Sequence, residues 1–185
     1  TTLFRSIDHL YRLVSGNVSG SRMDLETYVQ RYYLEKILYA ANRRFRDMSA
    51  GQFELRMYNL EKAGEGKNRG LDLMVYSAVT GKEREVRTLS GGESFMAALA
   101  LALGMADQIQ ESSAAINLDM MFIDEGFGSL DEHSRNQAVK VLLEMAEGSK
   151  LIGIISHVTE LKQEIEDQLI VIKDESGSHV KWQIS

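Results

Sequence analysis

Apolar residues recur along this chain with two different periods, and each period predicts a type of element. Over residues 23–48 they return every three or four positions, which predicts one long helix capped by Asp24 or Ser21. Residues 53–57 and 71–78 alternate apolar and polar side chains. They therefore predict two strands, which a polar, glycine-rich loop separates.

The second half alternates helices with short apolar runs. Residues 118–123 and 151–155 are apolar on both faces, as expected of strands buried in a mixed or parallel sheet. Helix–strand alternation places residues 88–173 in an α/β unit. The remaining predicted elements are a short strand at 85–87, helices at 90–110, 132–147 and 158–166, and a hairpin formed by 168–173 and 179–184.

The N-terminal residues carry a separate pattern. Leu3, Ile7, Leu10 and Val14 are spaced four, three and four apart, which is a heptad seam of two heptads or a short amphipathic helix. A loop rich in Ser and Gly follows. We therefore expect two parts, residues 1–20 as the end of a coiled-coil arm with its linker and residues 21–185 as the folded domain.

Composition adds few constraints to this picture. The 185 residues are 44% hydrophobic and 26% charged, which is ordinary for a globular domain with a core. No apolar run reaches membrane-spanning length, and no signal peptide is visible. The absence of Cys excludes a disulfide framework and fits a cytosolic protein. Because the chain starts at Thr1 within a helical pattern, we expect it to be a fragment of a longer chain.

Charge is distributed unevenly between the two halves. Residues 1–90 have a balance of +4 and residues 91–185 a balance of −10. One interpretation is ordinary surface charge, and the other is a division between a DNA-facing half and a half that holds metal and nucleotide. On the long helix, Arg43, Arg44 and Arg46 either form a solvated face or contact DNA phosphates.

Ser90 and Glu93 stand in the S-x-x-E spacing of a helix N-terminus. Gly91 and Gly92 lie just inside that helix, where glycine is unfavourable. A capping box with flexible glycines is the simpler interpretation. The other is a close approach to a phosphate, which unpaired N–H groups and the helix dipole favour.

Asp124 and Glu125 are adjacent carboxylates where an apolar strand ends, and His157 follows the next such strand. Ligands of α/β proteins bind at the carboxyl ends of strands. The alternatives are a capping role for the two carboxylates and a structural role for the histidine. The phosphate-binding pattern G-x-x-x-x-G-K-[ST] occurs nowhere in the sequence.

Residues 88–93, 118–125, 129–131 and 154–157 resemble, in this order, the signature, Walker B, D-loop and switch-histidine motifs of ABC-type ATPases. Further similarity identifies the chain as resembling the C-terminal head segment of the SbcC family, the SMC-like ATPase subunits of a bacterial DNA double-strand-break nuclease complex. The segments that carry the resemblance are 26–37, 41–45, 88–95, 122–131 and 153–158.

The resemblance implies an α/β fold, the C-terminal half of an ABC-type ATPase head, and implies ATP and Mg²⁺ as cofactors. Asp124 would reach Mg²⁺ through a water, Glu125 would activate the attacking water, and His157 would contact the γ-phosphate. The residues implied to contact ATP held by another head are Ser90, Gly91, Gly92, Glu93 and Asp131.

The implied partners are an N-terminal head half with the missing Walker A loop, a second head, an SbcD-type nuclease and double-stranded DNA ends. No membrane is implied, and the expected location is the cytoplasm, with the nucleoid. Alone, the chain should bind ATP poorly. An SMC-like chromosome-organising or recombination ATPase without a nuclease is the main alternative. A transporter subunit and a degenerate binding module fit the sequence less well.

Overall fold

A computed structural model describes residues 7–8, 10–12, 14–15, 23–58, 71–112, 118–147 and 150–184. Helical residues occur among 7–14, but most of the predicted arm and linker lies outside the described residues, so the division at residue 20 stays a prediction. The elements that follow are α1 (Leu25–Met48), β1 (Phe53–Met57), β2 (Leu73–Ser77), β3 (Lys82–Glu85), α2 (Gly91–Ser112), β4 (Met120–Asp124), α3 (Glu132–Glu147), β5 (Leu151–Ile155), α4 (Leu161–Glu164), β6 (Gln168–Asp174) and β7 (Gly177–Gln183).

Helix α1 begins where the sequence predicted. Of the two candidate caps, Asp24 is used, and its carboxylate accepts a hydrogen bond of 2.7 Å from the Thr27 N–H. Helix α1 crosses α2 at Gly104, where an added Cβ would lie only 2.7 Å from the Ile37 carbonyl oxygen. Any side chain at that position would collide with the α1 backbone. A glycine within a helix costs about 1 kcal/mol, which this close packing offsets.

The strands of the described residues form three separate sheets. The first is antiparallel, in the order β1-β2-β3. At its β1 edge, the Asn42 amide donates to the Leu55 carbonyl oxygen (2.8 Å) and accepts from the Leu55 N–H (2.7 Å). This α1 side chain therefore takes the place of a neighbouring strand and satisfies an edge that would otherwise be open.

The core lies between the first sheet and the helices. Its largest fully buried side chains come from α1, β1, β2, α2 and the turn after β4, and they are Phe45, Met48, Leu55, Val75, Leu103 and Phe127. Helix α3 adds Ala138, Val139, Val141 and Leu142 to the same cluster.

Strands β4 and β5 are parallel and pair only with each other among the described residues. The prediction that both strands are buried on both faces is wrong for this chain. Ile123 is buried, but Phe122 is 65% exposed and Leu151 is 58% exposed. Helix α3 packs against β5. The face of the pair that carries Met120, Phe122, Leu151 and Ile155 is exposed, since each of these side chains is more than half accessible to solvent.

Two smaller predictions also differ from the structure. Residues 85–87 do not form a strand of their own, because β3 ends at Glu85 and Val86–Thr88 form a 3-10 turn. That turn is closed by hydrogen bonds from the Leu89 N–H to the Val86 carbonyl and from the Thr88 hydroxyl to the Glu85 carbonyl. The helix predicted at 158–166 is only the four-residue α4.

The C-terminal hairpin is confirmed. β6 and β7 pair antiparallel, with Leu169 opposite Trp182 and Val171 opposite Val180. These four side chains lie on one face of the hairpin, and all four are exposed.

Candidate functional site

The carboxyl end of β4 carries the two adjacent carboxylates, and Asp124 pairs with Ile155 in the parallel register. The next residue, Glu125, donates its N–H to the Ile155 carbonyl oxygen (2.8 Å) and so extends the pairing of the strands. Its φ of 57° lies in the left-handed region, and Gly126 follows with a φ of 98°. A left-handed residue with a side chain costs about 1–2 kcal/mol, so the surrounding structure must hold Glu125 in place.

His157 lies beside Glu125, because β5 runs parallel to β4 and ends at the same edge. Its Nδ1 is 2.9 Å from Glu125 Oε2. The His157 side chain is 81% exposed and that of Glu125 is 48% exposed, so both can be reached from solvent. The structure thus brings together the two side chains that the sequence analysis assigned to catalysis.

Ser90 and Glu93 form the predicted capping box at the start of α2. The Ser90 N–H donates to Glu93 Oε2 (2.7 Å), and the Glu93 N–H donates to Ser90 Oγ (3.3 Å). Arg84 of β3 donates to the same carboxylate (3.1 Å) and to the Thr88 carbonyl oxygen (2.6 Å). Partial burial would raise the pKa of Glu93, but the Ser90 N–H and the Arg84 guanidinium outweigh it and lower that pKa.

These contacts engage the Glu93 carboxylate within the chain. The hydroxyl of Ser90 and the N–H groups of Gly91 and Gly92 lie at the first helical turn, which has no intrahelical acceptors. They are the groups of this loop that suit an anion.

The two glycines of this loop have different surroundings. A Cβ at Gly92 would lie 2.8 Å from the Ser129 carbonyl oxygen, whereas a Cβ at Gly91 would meet only Ser129 Cβ at 3.7 Å. Gly92 is therefore required for packing within the chain. The start of α2 lies directly against the 3-10 turn Phe127–Ser129 that follows β4.

Asp131 caps helix α3. Its two carboxylate oxygens accept hydrogen bonds from the Ser134 N–H (2.9 Å) and the Ser134 hydroxyl (2.8 Å). These bonds lower the pKa of Asp131, and its side chain remains exposed at the surface. The cap fixes an exposed carboxylate two residues after Ser129, against which Gly92 of α2 packs.

The three arginines of the basic helix have different environments. Arg44 forms a part-buried ion pair with Asp107 of α2 (2.6 Å), and Arg46 pairs with Glu54 of β1. Arg43 is exposed, and within the described residues it makes no ion pair. Of the three, Arg43 is the most available for an external phosphate.

For a divalent cation, this edge of the sheet offers a single carboxylate outside the Glu125–His157 pair, that of Asp124. The described residues contain no group of three or more His, Cys, Asp or Glu side chains that could enclose a metal. Mg²⁺ is usually held by one or two carboxylates together with waters and substrate phosphates. Asp124 therefore fits Mg²⁺ as one ligand, directly or through water.

Three residues of this region were not recognised from the sequence as parts of the site. Arg84 belonged to no predicted motif, and Phe95 and Gly126 lay in segments that carry the family resemblance but were assigned no role there. The ring of Phe95 lies so close to Gly126 that an added Cβ would be 2.1 Å from Phe95 Cε2. No local pattern marks such a contact, because its two residues are 31 positions apart in the sequence.

Comparison with known proteins identifies the family. Residues 70–144 match a family model described as SbcC/RAD50-like, Walker B motif. The chain is 45% identical over 168 residues to the SbcC protein of the nuclease SbcCD of Vibrio cholerae, covering 91% of the chain and 16% of that protein. It is 42% identical over 181 residues to the corresponding protein of Lactococcus lactis, covering 95% of the chain and 17% of that protein.

The chain belongs to the SbcC family. It spans about a sixth of the length of these curated relatives.

The fold is that of an SMC-type ATPase head segment. One solved structure comes from a study of the ATP-driven dimerization and DNA-stimulated activation of SMC ATPases. It aligns with a TM-score of 0.64 at 16% identity, over 84% of this chain and 88% of that one. The Smc head domain of Pyrococcus furiosus, bound to the C-terminal domain of ScpA, aligns with a TM-score of 0.61 at 21% identity, over 85% of this chain and 37% of that one. In the described part of the chain, no helix has both the length and the hydropathy of a membrane span.

Proposed function

We propose that this chain is the C-terminal part of the ATPase head of an SbcCD-type DNA-repair nuclease complex. The observation that carries the proposal is the Glu125–His157 pair, with 2.9 Å between Nδ1 and Oε2, at the common edge of two parallel strands. ATP hydrolysis needs a group that positions or deprotonates water and a group that meets the developing phosphate charge. Glu125 fits the first role and His157 the second.

The start of α2 supplies the second element of the proposal. Ser90 and the N–H groups of Gly91 and Gly92 bind the γ-phosphate of a nucleotide held by another head. Glu93, fixed by Arg84, shapes this loop rather than contacting the nucleotide. Asp131 lies at the boundary between the two heads. Mg²⁺, held in part by Asp124, neutralises phosphate charge when bound.

The uncovered strands support the proposal that an N-terminal head half completes the fold. Phe122 and Leu151 on β4–β5, and separately the apolar face of the hairpin, are exposed apolar surfaces that the described residues leave uncovered. The proposed N-terminal half carries the Walker A loop and covers these surfaces. ATP binding then joins two such heads.

The remaining partners follow from the family. The names of the relatives state a nuclease complex, and we propose an SbcD-type nuclease as the partner. We also propose that double-stranded DNA ends contact the basic helix, with Arg43 as the main contributor of the three arginines. Such a function places the protein with the nucleoid in the cytoplasm.

The decisive experiment measures ATP turnover by this chain mixed with the N-terminal head segment, with and without linear double-stranded DNA. We expect turnover only in the mixture, stimulation by DNA, and loss of turnover in Glu125→Gln with an ATP-bound dimer retained. Turnover by this chain alone would overturn the half-site proposal. Normal turnover in Glu125→Gln would overturn the role of Glu125.

An SMC-like ATPase without a nuclease is the second candidate, because solved structures that share this fold include SMC heads. Turnover that needs the mixture but does not respond to DNA, with no binding of an SbcD-type nuclease to the assembled head, would favour it.

A further inference from the structure

The turn that carries Glu125 is held from two sides. On one side, the Glu125 N–H is bonded to Ile155 and its carboxylate contacts His157. On the other side, the ring of Phe95 lies against the next residue, Gly126, where Cε2 and Cδ2 would be 2.1 and 2.2 Å from an added Cβ. A glycine is needed at 126 both for its φ of 98° and for this ring.

Phe95 is itself anchored. Its ring packs edge-to-face on Phe127, with 5.0 Å between the ring centroids, and Phe127 is fully buried. Phe95 also lies in the second turn of α2, five residues after Ser90. The ring therefore connects the capped start of α2 with the three residues that follow β4.

The backbone at Glu125 needs such support. Glu125 and Gly126 are two consecutive residues with positive φ, and a left-handed residue with a side chain persists only where its surroundings determine it. If the ring is removed, the packing that confines Gly126 is lost, and the turn can relax toward commoner backbone conformations. The Glu125 carboxylate would then leave its position beside His157.

We propose that Phe95 is a positioning residue for Glu125. It fixes the Glu125–Gly126 turn relative to the start of α2 and so sets the position of the water-activating carboxylate. The loop at Ser90 is held separately, by its capping box and by Arg84. This inference rests on the proposed function.

The test uses this chain assembled with the N-terminal head segment and compares four variants. Phe95→Leu removes the ring, and Phe95→Tyr retains it. Leu101→Ala, a partly buried position farther along α2, is the matched control for lost apolar volume. Glu125→Gln tests the proposed function itself. The measurements are kcat and KM for ATP, ATP-dependent dimerisation by light scattering, and hydrogen exchange of the amides at 125–127.

For Phe95→Leu we expect kcat to fall by about 10- to 100-fold, as is usual when a reacting group is displaced by an ångström or less. KM should stay within about twofold, because the phosphate-binding groups are unchanged, and the ATP-dependent dimer should persist. Exchange at 125–127 should accelerate in Phe95→Leu. Phe95→Tyr and Leu101→Ala should retain kcat and slow exchange.

Equal kcat and equal exchange in Phe95→Leu and Leu101→Ala, with Glu125→Gln inactive, would overturn this inference and leave the proposed function standing. A joint loss of kcat, raised KM and lost dimerisation in Phe95→Leu would also overturn it, because that pattern indicates a general packing role. Normal turnover in Glu125→Gln would overturn both. If Phe95→Leu does not assemble with the N-terminal head segment, Phe95→Tyr provides the test. A kcat as low as that of Glu125→Gln, although the ring is retained, would contradict a role carried by the ring.

Discussion

Helices α1 and α2 with the first sheet differ sharply from the strand pair β4–β5 in how far their apolar side chains are buried. In the former, Phe45, Met48 and Val75 are completely buried, and Gly104 lets two helix backbones touch. In the latter, an equally apolar sequence leaves Phe122 and Leu151 mostly in solvent. One region closes its own core, and the other presents an exposed apolar face. The Glu125–His157 pair lies on the incomplete region, but Phe95, which packs on its turn, comes from the complete one, as does the Ser90 loop with Arg84.

The largest effect that we expect is a difference in the free energy of unfolding between substitutions in the two regions. Phe45→Ala leaves a cavity in a filled core and should destabilise the chain by about 3–5 kcal/mol, whereas Phe122→Ala should change its stability by less than about 1 kcal/mol. Chemical denaturation of the isolated chain measures both. Phe122→Ala should instead weaken binding of the N-terminal head segment, which titration calorimetry would detect. Equal destabilisation by both would show that the exposed face is covered within the chain.

A comparison of the two glycines in the α2 loop should give the next largest effect. Gly92→Ala places a methyl group 2.8 Å from a backbone oxygen, which cannot move without shifting the turn after β4, so we expect a loss of about 1–3 kcal/mol. Gly91→Ala meets only ordinary contact and should leave stability unchanged or raise it by up to about 1 kcal/mol. Thermal unfolding distinguishes them. Equal unfolding temperatures for Gly91→Ala and Gly92→Ala would contradict the close packing of α2 on Ser129.

Lowering the pH should remove the stability that the Glu93 carboxylate contributes to the folded chain. Because its pKa is lowered in the folded state, the stability it contributes is present above its ordinary pKa of 4.5 and is lost as the pH falls through the folded value. Glu93→Gln should therefore be less stable than the original chain near neutral pH, and the difference should shrink below pH 4.5. Because the pKa values of Asp131 and Asp174 are also lowered, only the difference between the two proteins is informative. A difference independent of pH would contradict the Arg84–Glu93 interaction.

The smallest effect on stability should come from the basic helix. Arg43→Ala removes an exposed cation that has no ion pair among the described residues, and it should change the free energy of unfolding by less than about 0.5 kcal/mol. Arg44→Ala breaks a part-buried ion pair with Asp107 and should cost more. On linear duplex DNA, measured by fluorescence anisotropy at fixed salt, Arg43→Ala should weaken binding by the assembled head and reduce its salt dependence. Unchanged binding would leave the basic helix with a structural role alone.

Most of the elements could be predicted because their signals are local. The α1 cap at Asp24, the capping box at Ser90 and the C-terminal hairpin each depend on residues within a few positions of one another. The parallel order of β4 and β5 followed from helix–strand alternation, and this pairing brings Glu125 and His157 together. The burial of β4 could not be predicted, because an apolar strand has the same sequence whether or not its neighbours belong to the same chain.

The sequence by itself determined the elements, the order of the ATPase-like motifs and the residues at the ends of the two parallel strands, since periodicity, capping and motif spacing act over short separations. Only the tertiary structure decided that Gly92 packs on Ser129, that Arg84 engages Glu93, and that Phe95 confines Gly126. These contacts join residues that are far apart in the chain or on different elements. They depend on how closely packed groups approach one another, to within a few tenths of an ångström, which no local pattern of residue types specifies.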